Sequence, residues 1–233
     1  MGIKKIVSVS EYLVDHLRTE IITGGLEPGE KIKEYQFAEH LDVSRPILRE
    51  VLRTLESEHL VDIIPRKGSY VSTISLEDFI ELYEIREMIE CKAVDLIKSK
   101  KIRALPQIDQ AIKKASTLRV PSLRASVSDF YSFFETGLSF HLILVNATGN
   151  RRLSQIYQGI RHNLLRYHVI LSRENLAAQV KVDHSDIAKR LANGQYVEAK
   201  KILQAHIRCH AEIIKRNIEH YNKNHLSARI KPT

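Results

Sequence analysis

Residues 43–55 restrict the fold of this chain more than any other segment, because they combine two helical faces of opposite character. Ser44 is a residue type that caps helix N-termini, and Pro46 falls in the first turn, where a missing backbone N–H costs little. Apolar residues recur at helical spacing on one face: Leu48, Val51, Leu52 and Leu55. Another face carries three arginines, Arg45, Arg49 and Arg53. The pattern predicts a helix that presents guanidinium groups as a DNA recognition helix does, although a solvated helix with incidental arginines would share it.

The flanking segments predict a winged helix-turn-helix around this helix. Residues 9–23 and 35–41 have helical periodicity, and Gly24 follows the first of them, as a left-handed helix C-cap requires. Two runs typical of β-strands then follow, at residues 61–64 and 69–71. The four residues between these runs predict a hairpin loop with two cations at its tip: Pro65, Arg66, Lys67 and Gly68.

These motifs resemble the DNA-binding half of the GntR family of bacterial transcription regulators. The resemblance spans about residues 8–74 and is carried by Pro28-Gly29 with Lys31-Ile32, Phe37-Ala38-Glu39, Val43-Ser44-Arg45, Leu48-Arg49-Glu50-Val51-Leu52, Leu60-Val61 and Gly68-Ser69-Tyr70-Val71. It implies that Arg45 and Arg49 contact operator bases or phosphates, and that Gly68 approaches the minor groove at the wing tip. We therefore expect seven DNA-binding residues: Ser44, Arg45, Arg49, Arg53, Arg66, Lys67 and Gly68.

Net charge alone does not indicate DNA binding. The chain of 233 residues has a formal net charge of +8. However, residues 1–74 contain 10 Lys and Arg against 12 Asp and Glu, so the basic excess lies in residues 75–233. The DNA-binding prediction therefore depends on the local cluster of cations. The excess in the second half fits either a solvated basic exterior or an affinity for anionic effectors or flanking DNA phosphates.

Other features of composition indicate a protein of the cytoplasm. The chain is long enough for two domains. No apolar run approaches the roughly 20 residues that a membrane span needs, and the first residues lack the apolar core of a signal peptide. We therefore expect cytoplasmic localisation and no membrane partner. Cys91 and Cys209 are far apart in helical contexts, which favours two reduced thiols.

The second half predicts six amphipathic helices with short connections, and hence an antiparallel bundle. The first follows Ser75, and the other five cover about residues 104–118, 126–147, 151–172, 176–191 and 196–221. The expected fold class is mainly α, with an N-terminal winged helix-turn-helix followed by an all-α antiparallel helical bundle. The expected domains are residues 1–74 for DNA binding and 75–222 for effector binding and dimerisation, with a flexible tail at 223–233.

Three of the 11 histidines occupy or border apolar helical faces: His141, His184 and His206. A buried histidine needs a hydrogen-bond partner or a metal ion. No two of these three are four residues apart, the spacing of a helical zinc site. Spacing alone therefore favours histidines that are satisfied within the core, and leaves metal binding open.

The histidine segments resemble the FCD effector-binding domain of the FadR subfamily, over about residues 77–221. The resemblance is carried by Phe140-His141 with Ala147-Thr148-Gly149-Asn150, Asp183-His184 with Ile187, Leu191 and Ala192, and Ala199 with His206. It implies a divalent metal held by three histidines, matched by His141, His184 and His206, and by an aspartate four residues before the first. Gly137 stands at that aspartate position. Three imidazoles could hold Zn, Ni or Mn with water or a ligand carboxylate, but some relatives bind effectors without metal.

The same resemblance suggests a small anionic metabolite, a carboxylate, as the effector. Arg86 lies in a run that matches the family's first bundle helix, and a guanidinium can bind both oxygens of a carboxylate. Arg166 is a second candidate for effector binding. For either arginine the alternative is an ion pair with a neighbouring glutamate such as Glu90.

Together these features predict a homodimeric, metabolite-responsive repressor that binds a pseudo-palindromic double-stranded DNA operator. Effector binding would act on the DNA-binding domains through residues 73–75. One alternative is a constitutive DNA-binding protein whose helical half only dimerises. Another is a hydrolase that activates water on a three-histidine metal. The sequence shows no evident general base, and an enzyme has no use for an attached winged helix. We therefore expect no enzymatic activity.

Overall fold

A computed structural model of the chain describes residues 8–102, 106–117, 121–122, 124–175 and 184–229. It divides the chain into two compact units, Met1–Thr73 and Ile74–Thr233. The expected domain boundary followed residue 74, one position later. Ile74 is buried and belongs to the second unit, which explains the difference.

The first unit is a three-helix fold with a small antiparallel sheet. Its elements are α1 (Val9–Thr23), β1 (Lys31–Ile32), α2 (Glu34–His40), α3 (Arg45–Ser57), β2 (Val61–Ile64) and β3 (Gly68–Val71). The strand order is β1-β3-β2, and Lys31 pairs with Tyr70 while Val61 pairs with Val71. The sequence analysis missed β1, because a strand of two residues has no periodicity to recognise.

Helix α3 is built as its sequence pattern predicts. Its four core-facing residues are completely buried: Leu48, Val51, Leu52 and Leu55. They pack with apolar residues of α1, including Leu17 and Ile21, and with Val71 of β3. Ser44 occupies the N-cap position, but its side chain makes no capping hydrogen bond. The hydroxyl group of Ser44 therefore does not accept a hydrogen bond from the first turn of α3.

The loop between β2 and β3 forms a tight hairpin. Ile64 pairs with Gly68, so three residues, Pro65 to Lys67, project beyond the paired strands. Gly68 has a φ of 106°, a conformation that favours glycine, and Arg66 has a left-handed φ of 64°. The hairpin thus places Arg66 and Lys67 at its exposed tip.

The second unit has six helices in the described part of the chain. They are α4 (Leu76–Ser99), α5 (Pro106–Thr117), α6 (Val127–Asn146), α7 (Arg151–Asn175), α8 (His184–Ala192) and α9 (Tyr196–Arg229). Helix α6 packs on α7, α4 packs on α9, and α8 packs on α9. These contacts confirm the predicted fold class, a winged helix-turn-helix followed by a helical bundle.

The ends of two helices differ from the sequence predictions. Helix α9 continues to Arg229, past residue 223, where we expected a flexible tail to begin. Residues 222–229 contain neither glycine nor proline, so nothing in their sequence stops the helix. Helix α8 begins at His184, whereas the prediction began near residue 176; residues 176–183 lie outside the described residues.

Across the part of the chain that the structure describes, no helix combines the length and the apolar character that crossing a membrane would require.

Candidate functional site

The first unit exposes all the side chains expected to contact DNA. Arg45, Arg49 and Arg53 lie along the solvent-facing side of α3, and Ser44 is exposed at its start. Arg66 and Lys67 lie at the hairpin tip. The structure brings two of these regions together, because Arg45 and Gly68 line the same open groove. Their contact with DNA remains a prediction.

The same groove is lined by residues that the sequence analysis missed. Lys31, Lys33 and Tyr35 contribute to it beside Arg45. The alternation of Lys31 and Lys33 could have indicated a basic edge in the sequence. However, these lysines lie next to the hairpin only because the short strand β1 pairs with β3. The groove therefore combines cations from two separate segments, residues 31–33 and the start of α3.

A carboxylate lies beside the α3 arginines that are expected to contact DNA. Arg49 Nε donates to Glu34 Oε2 at 3.0 Å, and Ser69 Oγ donates to Glu34 Oε1 at 3.1 Å. Partial burial alone would raise the pKa of Glu34, but the hydrogen bonds from Arg49 and Ser69 and the charges of Arg49 and Arg45 lower it overall. Because Glu34 binds the Nε edge of Arg49, the terminal Nη1–Nη2 edge is left for a bidentate contact.

The second unit brings the three predicted histidines together. The Nε2 atoms are 3.1 Å apart between His141 and His184, 3.2 Å between His141 and His206, and 3.3 Å between His184 and His206. All three side chains are buried, and they come from α6, α8 and α9. We call these residues the histidine triad.

The geometry of the triad fits a metal ion. Nitrogen ligands about 2.0–2.1 Å from a tetrahedral Zn²⁺ would be separated by roughly 3.3 Å. An imidazole nitrogen has either one proton or one lone pair in the ring plane, so three mutually adjacent Nε2 atoms cannot all be satisfied by each other. A cation that accepts three lone pairs satisfies all of them. The triad therefore has the ligand type and spacing of a metal site.

Glu90 on α4 orients the first triad histidine. His141 Nδ1 lies 2.6 Å from Glu90 Oε2, and an ionised carboxylate only accepts, so Nδ1 carries the proton. The Nε2 atom of His141 thereby presents its lone pair to the other two triad histidines and to Arg86, and Glu90 lies behind the imidazole as in carboxylate–histidine–metal arrangements. Tyr157 also donates to Glu90, at 2.9 Å. The sequence analysis named Glu90 only as an ion-pair partner and missed this role.

Arg86 lies inside this network. Its Nε donates to Glu90 Oε1 at 2.8 Å, so the ion pair considered as the alternative is present, but buried. Its Nη1 donates to the Tyr83 hydroxyl at 3.2 Å, and its Nη2 lies 3.0 Å from His141 Nε2. Burial opposes the charge of Arg86, but Glu90, Tyr83 and Tyr157 together outweigh burial and raise the pKa of Arg86. Arg166 is also buried, on α7. Effector binding by either arginine remains a prediction.

Two further buried histidines, His168 on α7 and His210 on α9, extend the cluster and were missed. His168 Nε2 lies 3.0 Å from the Tyr83 hydroxyl. The ring of His210 packs on that of His206, with centroids 4.5 Å apart, and lies 6.0 Å from that of His168. The spacing of His206 and His210 could have indicated His210, because residues four apart lie on one face of a helix.

The cluster favours neutral imidazoles. Burial is the main cause that lowers the pKa of His141, His168 and His206 well below 6.5, and nearby positive groups, including Arg86, act in the same direction. The same causes lower the pKa of His210 to about 3. A neutral imidazole retains the lone pair that a metal ion needs.

Gly137 lies one helical turn before His141 on α6. A Cβ atom built at this position would meet no atom within 4 Å. The residue that replaces the family's aspartate therefore leaves room for a side chain.

Comparisons with known proteins agree for both units. The model for bacterial regulatory proteins of the gntR family matches residues 9–71, and that for the FCD domain matches residues 81–208, more than half of the chain. The HTH-type transcriptional regulator YdhC of Bacillus subtilis is 26% identical over 218 residues, which cover 90% of this chain and 92% of that protein. The gluconate operon transcriptional repressor of Bacillus subtilis is 25% identical and is matched over 79% of this chain and 72% of its own.

A solved structure shows the same fold. The crystal structure of a GntR transcriptional regulator from Rhodococcus sp. RHA1 superimposes with a TM-score of 0.72 at 22% identity. The superposition covers 88% of this chain and 96% of that one.

Proposed function

Because the chain belongs to the GntR family of bacterial regulatory proteins and has an FCD domain, it is a DNA-binding transcription regulator, and we propose that it is a metabolite-responsive repressor. Its family and relatives are regulators, not enzymes, so the hydrolase alternative is dropped. A relative named as an operon repressor supports the direction of regulation. We further propose that the protein binds a pseudo-palindromic operator as a homodimer formed by its helical domain.

The DNA contacts of this proposal come from α3 and the hairpin. Arg45, Arg49 and Arg53 would enter the major groove, where the Nη1–Nη2 edge of Arg49 suits the O6 and N7 atoms of guanine. Ser44 would bind a phosphate, and Arg66 and Lys67 would follow the DNA backbone at the wing. Gly68 would allow the wing backbone to approach the minor groove.

The observation that carries the sensing part of the proposal is the spacing of the triad nitrogens, 3.1–3.3 Å. His141, His184 and His206 would hold Zn, Ni or Mn, and Glu90 would keep His141 in the required tautomer. The bound metal would supply positive charge that attracts a carboxylate. Because Gly137 provides no ligand, a small anionic effector could complete the shell, with Arg86 or Arg166 as its clamp.

Regulation requires that the effector favour one state of the dimer. A ligand shifts an equilibrium only by its difference in affinity for the two states. The effector would therefore prefer the arrangement of the DNA-binding domains that does not match the operator. Residues 73–75 join the two domains of each protomer and would transmit the change.

The metal content of the protein tests the sensing part. The protein should be purified without a histidine tag or chelator and its metal content measured by elemental mass spectrometry. Because the described residues of each chain form one triad, we expect about one metal ion per protomer. His184→Ala should contain none. His220→Ala, which removes an exposed histidine of α9, is the matched control and should retain the metal. An empty wild-type protein would contradict the metal site and favour a regulator that senses without metal, or does not sense.

Operator selection from a random duplex library tests the DNA part. Arg49→Ala should weaken binding to the selected sequence by roughly 1–3 kcal/mol and relax its specificity, whereas Lys67→Ala should mainly reduce the salt dependence. Lys98→Ala, which removes an exposed charge of α4, should change neither. If Arg49→Ala binds like the wild type, the assignment of α3 as recognition helix is wrong.

A further inference from the structure

A short hydrogen-bond chain in the second unit determines where His168 carries its proton. Arg86 Nη1 donates to the Tyr83 hydroxyl at 3.2 Å. The hydroxyl then directs its own proton to His168 Nε2, which is 3.0 Å away. Because Nε2 accepts this bond, the neutral ring carries its proton on Nδ1. Burial and the neighbouring His210 and Arg86 lower the pKa of His168, which favours this neutral ring.

The resulting Nδ1–H group is a buried donor without an acceptor. The side chain of His168 is 3% exposed, and its Nδ1 has no hydrogen-bond partner among the residues that the structure describes. Folded proteins rarely leave such a donor unpaired, because burial removes its hydrogen bonds to water. A bound molecule with an oxygen atom at this point would satisfy it.

The neighbouring ring of His210 also has a buried nitrogen without a hydrogen-bond partner in the described part of the chain. Its side chain is 7% exposed, and its Nε2 also lacks a hydrogen-bond partner within the described residues. The rings of His168 and His210 have centroids 6.0 Å apart. The two rings, on the packed helices α7 and α9, are therefore close enough for one bound molecule to contact both.

This pair lies next to the triad. His210 packs on His206, with ring centroids 4.5 Å apart. On the other side, only Tyr83 and Arg86 separate His168 from the Nε2 atom of His141. A molecule bound at the triad therefore needs only a few carbon atoms to reach both rings.

We propose that His168 and His210 form a second recognition point for the effector, beside the histidine triad. This inference rests on the proposed function, because it takes the triad to be the metal centre. One carboxylate of the effector binds at the triad, and a second oxygen accepts the proton of His168 Nδ1. The effector is therefore a carboxylic acid with another oxygen acceptor, such as a hydroxy acid or a dicarboxylic acid, and not a simple fatty acid.

Calorimetric titration of the zinc-loaded, full-length protein tests this assignment with three acids of four carbons: butyrate, 3-hydroxybutyrate and succinate. The wild type should bind 3-hydroxybutyrate or succinate at least about tenfold more tightly than butyrate, as expected for one buried hydrogen bond. His168→Phe keeps a ring stacked on Phe134 but removes both nitrogens. It should lose most of this preference, with its zinc content and butyrate affinity unchanged.

His168→Gln provides a second variant, because its amide restores an N–H donor and should recover part of the preference. Three results would overturn the inference: equal affinity of the wild type for all three acids, no binding of any of them by zinc-loaded protein, or equal weakening of all three by His168→Phe. A wild-type protein that retains no zinc would instead overturn the proposed metal centre, and this inference with it.

Discussion

The pair of Arg49 and Glu34 shows how one carboxylate can prepare a recognition side chain. Arg49 has 60% of its side-chain surface exposed, and such a long side chain is ordinarily free to adopt many rotamers. Glu34 holds its Nε, and Ser69 of β3 holds Glu34. The recognition helix is thus linked through a single carboxylate to the strand that begins at the wing.

This link leads to a prediction about specificity. Glu34→Ala should reduce the preference for a selected operator over a random duplex by about 1–2 kcal/mol, because Arg49 must then be ordered during binding. Affinity for the random duplex should stay equal or rise, since a negative charge near the phosphates is removed. Fluorescence anisotropy with both duplexes measures the two affinities.

Glu39→Gln is the matched control, because it removes an exposed charge from the same helix without touching Arg49. Glu34→Gln keeps an oxygen acceptor for Arg49 and should retain most of the specificity. Equal weakening of both duplexes by Glu34→Ala would instead mean that Glu34 only stabilises the fold.

For single residues, sequence spacing predicts which charged side chains are exposed better than it predicts which side chains contact one another. The interval of four placed Arg45, Arg49 and Arg53 on the exposed face of α3. Nothing in the sequence marks the contact of Arg49 with Glu34, because the two residues are 15 positions apart and meet only through packing of α2 on α3. His168 was missed for the same reason, since its partner Tyr83 lies 85 positions away.

At the scale of the element, α6 carries the candidate metal ligand His141 and also Gly137, where the family resemblance implies an aspartate. Gly137 precedes His141 by four residues, so the two positions share one helix face. A glycine inside a helix lowers its stability by roughly 1 kcal/mol relative to alanine. A Cβ atom at position 137 would meet no atom within 4 Å, so the first atom of a side chain fits there.

Gly137→Asp should therefore raise the affinity for zinc by about tenfold or more, because a carboxylate adds an anionic ligand to three imidazoles. Competition with a chromophoric chelator measures this affinity. Gly137→Ala is the control: it should raise the stability of the helix by roughly 1 kcal/mol and leave zinc affinity unchanged. Equal affinities for all three proteins would show that position 137 does not face the metal.

Sequence patterns identified the helices and the two four-residue strands but missed the two-residue strand β1. Six helices of the second unit follow from apolar spacing because each has a buried face. β1 has two residues and exists only through its pairing with β3. Helix α9 continues to Arg229, beyond the end predicted near residue 221.

At the scale of the whole molecule, the candidate metal site lies entirely within one of two compact units. The triad joins α6, α8 and α9 of the second unit, whereas α1, α2 and α3 form the first. A ligand that binds only the folded state stabilises the unit that holds it, by about 3–4 kcal/mol at 100–1,000 times its Kd.

Removing the metal should therefore loosen one unit and spare the other. Hydrogen exchange followed by mass spectrometry should show faster exchange in α6, α8 and α9 after chelation, with no change in α1 to α3. His184→Ala should exchange rapidly in α8 with or without chelator. Faster exchange in both units, or in neither, would contradict the localised metal site.

The division into two units could be predicted from the sequence, since a winged-helix pattern ends where a long amphipathic helix begins. The convergence of the triad could not be derived from spacing, because His141, His184 and His206 are separated by 43 and 22 positions. Only the packing of α8 and α9 against the rest of the bundle brings them together. The family resemblance, unlike periodicity, indicated that these three distant histidines belong to one site.

The open position on α6 also has a genetic consequence. Codons GGU and GGC for glycine become aspartate codons by a single base substitution, and a Cβ atom at position 137 would meet no atom within 4 Å. A lineage that carries this fold could therefore strengthen or weaken its hold on a metal in one mutational step. The threshold at which the regulator senses its ligand would then evolve independently of its operator.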